Sequence, residues 1–105
     1  MEMTADKMEM TTEKNGTEMT IRLDGELNVM TAPRLSDLLD KELNGVEDLT
    51  FDFAGCDYVS SAGLRVLLAT FKKMKAEGGD MKLENVGVMF RDVLETTGLD
   101  AVFDI

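Results

Sequence analysis

Two adjacent hydroxyls, Ser60 and Ser61, are the side chains best placed to do chemistry, at the head of the run Ser60-Ser61-Ala62-Gly63-Leu64. A helical apolar pattern begins there, so both stand where the unpaired N–H groups of a first helical turn seek acceptors. One serine suffices as a cap. A second serine, with a glycine inside the first turn, goes beyond what capping requires. Small residues at 62 and 63 leave the helix start open, and its N–H groups and dipole favour an anion. An exposed hydroxyl at that point therefore suits phosphorylation.

Other candidates carry less. The chain has no histidine, which removes Ser-His and Cys-His nucleophile activation, histidine zinc sites and the commonest general base. Asp24 and Glu26 could pair as acid and base, but no nucleophile or metal motif stands near them, and a solvated strand end accounts for both. Gly78-Gly79-Asp80 lacks the Lys-Ser/Thr of a phosphate loop and reads as a helix stop. Cys56 is the single cysteine, so there is no internal disulfide or multi-cysteine metal site; Asp57 beside it disfavours the thiolate. No motif calls for a cofactor, and no catalytic constellation is present. A binding or signalling module is expected, not an enzyme.

Composition narrows the partners. Twenty-one acids against eleven bases leave a net charge of −10, which repels nucleic acid and anionic membranes. Lys72, Lys73 and Lys75 fall at a helix end, where they complement the dipole and do not form a basic stripe. There is no apolar run long enough to span a bilayer, and the first residues lack the apolar block of a secretory signal. A reducing cytoplasm is the expected location. Nine methionines could make an adaptable surface, but four of them lie within the first ten residues. The 105 residues allow one core: a lead-in over 1–7 and a domain over 8–105.

The elements that must position the serines follow from periodicity. Met19, Ile21 and Leu23 alternate with polar residues over Thr17–Leu23, the mark of a half-buried strand. Asn15-Gly16 predicts a hairpin to Met8–Lys14. Gly25 should end that strand, leaving Glu26–Met30 as a loop. Thr31 is an N-cap candidate with Pro33 in the first turn, and Leu35, Leu38, Leu39 and Leu43 form one helical stripe that stops at Asn44-Gly45. Leu49, Phe51 and Phe53 predict a strand ending near Gly55. Leu64, Leu67, Leu68, Phe71 and Met74 predict the second helix, up to Gly78-Gly79. A strand over Met81–Glu84 and a helix through Val88, Met89, Phe90, Val93 and Leu94 complete the order β-β-α-β-α-β-α. The apolar tail at 102–105 should dock and leaves room for a last short strand. Successive strand–helix–strand units imply right-handed crossovers. The fold class is a small single-domain α/β protein with a mixed, mostly parallel sheet and packed helices.

Three segments, in order, carry a family resemblance: Leu23-Asp24-Gly25-Glu26-Leu27-Asn28-Val29-Met30-Thr31-Ala32-Pro33-Arg34-Leu35; Tyr58-Val59-Ser60-Ser61-Ala62-Gly63-Leu64; and Gly78 to Leu83 with Leu94-Glu95-Thr96-Thr97-Gly98-Leu99. The chain resembles the STAS domains of bacterial anti-sigma factor antagonists over residues 8–105. The resemblance implies a protein that binds an anti-sigma factor, itself a serine kinase with a histidine-kinase-like ATPase fold, and so releases a sigma factor. The kinase would phosphorylate the hydroxyl two residues before the glycine, here Ser61, and a serine phosphatase would restore it. It also implies a docking face made of Asn28, Val29, Met30 and Thr31 with Ser60, Ser61, Ala62, Gly63, Leu64 and Arg65. The family often has aspartate where this chain has Asn28 and Ser60; asparagine keeps the hydrogen-bonding shape without the charge. The rival reading keeps the fold and makes the chain a constitutive STAS subunit of a transport or lipid-trafficking ATPase complex.

Overall fold

The computed structural model describes residues 8–103 and 105; the lead-in expected over 1–7 lies outside the described residues. Four strands form one sheet in the order β1-β2-β3-β4. They are β1 (Met8–Asn15), β2 (Glu18–Leu27), β3 (Asp48–Val59) and β4 (Asp80–Glu84). β1 runs antiparallel to β2, and β3 runs parallel to both β2 and β4. The helices are α1 (Ala32–Glu42), α2 (Ser61–Ala76), α3 (Val88–Thr97) and α4 (Leu99–Phe103). This is the mixed, mostly parallel α/β architecture that the periodicity predicts.

Period-2 alternation explains the one-sided core. Met19, Ile21, Leu23, Leu49, Phe51, Phe53, Met81 and Leu83 fall on one face of the paired strands and are all buried. The stripes of the helices join them in a single cluster that includes Leu35, Leu39, Leu67, Met74, Phe90, Leu94 and Phe103. Two ring contacts fix the outer helices. Phe53 meets Phe90 edge-on at 4.9 Å, and Phe71 meets Phe103 edge-on at 5.5 Å. Such pairs add roughly 0.5–1.5 kcal/mol each to plain burial. The opposite sheet face carries polar residues in register, such as Thr11, Arg22, Asp52 and Glu84.

Several boundaries differ from the sequence expectation. The hairpin turns at Gly16-Thr17, one residue later than predicted, because Gly16 alone takes the positive φ, +65°. Gly25 does not end β2. The strand passes it through two irregularities in its pairing with β3 and reaches Leu27. Gly55 likewise does not end β3, which runs on to Val59. In α3, Val88 and Met89 are exposed while Phe90 and Leu94 are buried, so the apolar stripe is narrower than the composition implied. The tail forms α4, not a strand; it docks through the buried Phe103.

Candidate functional site

The extension of β2 and β3 builds the site. Their last residues pair as Glu26 with Tyr58 and Leu27 with Val59. The Ser60 N–H then donates to the Leu27 carbonyl at 2.8 Å, which joins the end of β2 to the start of α2. Gly63 completes the joint. A Cβ there would stand 2.6 Å from Leu27 Cγ and 3.1 Å from the Leu27 carbonyl oxygen, closer than packed atoms tolerate. Only glycine lets the first turn of α2 lie this near β2.

The two serines divide their work. Ser60 is the N-cap of α2, in extended conformation, and its Oγ accepts from the Gly63 N–H at a long 3.4 Å. Ser61 is the first helical residue and is exposed. One hydroxyl is structural. The other faces solvent at the positive end of a 16-residue helix dipole.

The segment between β2 and α1 is held from inside. Asn28 is buried, and its Oδ1 accepts from the N–H groups of Met30 at 2.9 Å and Thr31 at 3.1 Å. This is the local side-chain turn that asparagine favours. Its Nδ2 donates to Glu26 Oε1 at 3.3 Å. Thr31, expected to cap α1, stands at the N-cap position but makes no side-chain cap bond. Its hydroxyl instead donates to the Glu26 carbonyl at 2.6 Å and accepts from the Asn28 N–H at 2.9 Å. Because Asn28 supplies acceptors for the start of α1, the threonine hydroxyl ties the segment back to β2. Val29 and Met30 are pushed outward, 68% and 54% exposed.

The ten residues expected at a docking face therefore take different positions. Val29, Met30, Ser61 and Arg65 face solvent; Ser60, Ala62 and Leu64 are half-buried; Asn28, Thr31 and Gly63 are buried and shape the surface from below. The sequence reading missed Tyr58, which is 47% exposed on the last turn-ward stretch of β3. Ending the strand near Gly55 hid it, because the burial pattern changes phase there, with Cys56 buried and Asp57 and Tyr58 exposed. Cys56 lies inside β3, not at a strand end. It is buried, and that burial pushes its thiol above its ordinary range, which argues against a redox role. Among the described residues no group of three or more His, Cys, Asp or Glu could hold a metal ion, and no helix is long and apolar enough to cross a membrane.

The STAS domain family model matches residues 9–105. The chain belongs to the STAS domain family. It is similar to the anti-sigma-B factor antagonist of Bacillus subtilis, with 33% identity over 92 residues, covering 88% of this chain and 84% of that protein. An anti-sigma factor antagonist from Mycobacterium paratuberculosis has the same fold, with a TM-score of 0.79 at 26% identity over 93% of this chain and 84% of that one. The phosphorylated form of the Bacillus cell fate determinant SpoIIAA matches in fold alone, with a TM-score of 0.73 at 21% identity over 89% of this chain and 86% of that one. In this chain β2 and β3 run on past their glycines to a shared rim that carries Asn28 on one side and Ser60 on the other.

Proposed function

We propose that this chain is an anti-sigma factor antagonist. It binds an anti-sigma factor that is a serine kinase of the histidine-kinase-like ATPase fold, and this releases the sigma factor. Phosphorylation of Ser61 by that kinase ends binding, and a serine phosphatase restores it. The observation that supports this reading best is the division of the serine pair: Ser60 caps α2, while Ser61 presents its hydroxyl outward beside the rim that exposes Val29 and Met30. The chain itself performs no catalytic step in this scheme; it is the substrate and the ligand.

Phosphate suits this position and harms docking. It adds about −1.5 to −2 charges at pH 7, which a helix N-terminus favours by roughly 0.3–1 kcal/mol, so the fold persists. Against a partner carboxylate ~5 Å away at an effective dielectric near 20, each unit pair costs about 3 kcal/mol before screening. Half of that weakens binding about tenfold. The test mixes the protein, ATP and the candidate kinase and reads intact mass. Ser61→Ala should bind the kinase and take no phosphate, Ser61→Asp should fold and bind weakly, and Ser60→Ala should still be labelled. Labelling that survives Ser61→Ala and vanishes in Ser60→Ala would overturn the site. If neither serine is labelled, the chain is a constitutive STAS subunit instead.

A further inference from the structure

Arg65 stands at i+4 from Ser61 on α2. Helical side chains lean toward the N-terminus, so the long Arg65 side chain is able to swing back to the turn that bears Ser61. Side chains at this spacing have Cβ atoms about 5–6 Å apart, within reach of a charge pair. Arg65 is exposed. The ion pairs among the described residues engage Arg22, Lys75 and Lys82 and leave Arg65 out. The Arg34 guanidinium is already committed to the Met8 carbonyl at 2.7 Å. Arg65 instead lines a groove of about 250 Å³ between α1 and α2, with Ser36, Asp40 and Lys73 on its rim.

We propose that Arg65 is the internal counter-ion of a phosphate on Ser61, a positioning residue that makes the modification a two-part signal. The inference rests on the reading of Ser61 as the phosphate acceptor. The planar fork of arginine matches phosphate oxygens in a bidentate way that lysine cannot. Pairing would hold the phosphate over the first turn of α2 and draw the guanidinium out of the groove. The docking face would then change twice, gaining an anion at Ser61 and losing a free cation at Arg65. A carboxylate at position 61 is shorter and carries less charge, so it reproduces the first change and little of the second.

The test uses the full chain with phosphoserine installed at position 61 during synthesis, so that no kinase is needed. Phosphorus NMR follows the second ionisation of the phosphate against pH in the native sequence, Arg65→Lys and Arg65→Gln. Glu26 and Asp57, on the strands that lead to Ser61, and Asp40 and Lys73, beside Arg65, are the same in all three proteins. Differences between them therefore report position 65. The native midpoint should lie below that of Arg65→Gln by roughly 0.3–0.6 unit, a two- to fourfold shift in the protonation equilibrium. Arg65→Lys should recover only part of it. Arg65→Gln should also lower the urea midpoint of the phosphorylated chain more than that of the unmodified chain. Equal midpoints for native and Arg65→Gln would overturn the pairing and leave Ser61 as acceptor. Failure of the kinase to label Ser61 would overturn the underlying reading without moving this titration.

Discussion

Gly63→Ala sets two well-known effects against each other. Near the start of a helix, alanine in place of glycine should stabilise by up to about 1 kcal/mol, because glycine loses more backbone freedom on folding. The added methyl, however, would sit 2.6 Å from Leu27 Cγ, 2.9 Å from Leu27 Cδ2 and 3.1 Å from the Leu27 carbonyl oxygen. Leu27 has no room to retreat: its side chain is fully buried, and its carbonyl accepts the Ser60 N–H at 2.8 Å. Overpacking of this kind costs roughly 1–3 kcal/mol. The steric cost wins, with a net destabilisation of about 1–2 kcal/mol. That lowers a urea midpoint by roughly 0.5–1 M at an unchanged slope, and Tm by about 4–8 °C for each kcal/mol. Leu27→Ala supplies the control. Alone it should cost about 2–5 kcal/mol through its cavity. Combined with Gly63→Ala, the new methyl occupies part of that cavity, so the double variant should be more stable than the sum by at least ~0.5 kcal/mol. A Gly63→Ala protein as stable as the native one, or more so, would refute the argument that close approach to Leu27 dictates glycine here.

Three further outcomes follow from named contacts. Ser60→Ala removes the α2 cap and should cost about 0.5–1 kcal/mol, the lower range because the bond is 3.4 Å long; Ser61→Ala, with no cap bond to lose, should stay within about 0.5 kcal/mol of native in the same urea series. Asn28→Asp keeps the acceptor for Met30 and Thr31 but sets a carboxylate against Glu26 in place of the 3.3 Å donation; it should cost about 1 kcal/mol at pH 7, and Glu26→Gln should restore most of that in a double-mutant cycle. Asp52 accepts from Asn85 Nδ2 and the Ala54 N–H and lies near Arg22, and these hold its carboxyl below the usual aspartate range. A depressed folded value contributes stability above the unfolded pKa of about 3.9 and loses it as pH falls through the folded value. The cost of Asp52→Ala in thermal unfolding should therefore be full at pH 7 and shrink below about pH 4; a cost that does not change with pH would refute it.

Periodicity was a good guide wherever a face had to be buried. The inward positions of Ile21 and Phe51 could be read directly, because a one-residue slip would carry each onto the solvent side, and so could Leu35 and Leu39 on one helical stripe. It failed where the chain stops obeying one period. Gly25 and Gly55 look like strand ends, yet irregular pairing lets β2 and β3 pass them, and that depends on how the two strands meet in space. The roles of Asn28 and Thr31 could not be separated for a related reason: both side chains suit the start of a helix, and only the position of the Glu26 carbonyl decides that the hydroxyl turns back to β2. The serine pair was half legible, since one cap was foreseeable but not which serine provides it.

The part that sequence patterns hid is the part that makes the site. β4 last pairs with β3 at Glu84 and Asp52, while β3 continues past Asp52 alongside β2 as far as Leu27 and Val59. Had both strands stopped at their glycines, Asn28 and Ser60 would belong to separate loops. Because they continue, the Leu27 carbonyl receives the Ser60 N–H, and Gly63 rests on Leu27. Val29, Met30 and Ser61 then share one rim, set by backbone bonds and buried supports. A partner that recognises this rim meets a preformed surface and pays little to order it. On the proposed reading, a single phosphate on Ser61 reverses binding while leaving the supports, and hence the fold, in place.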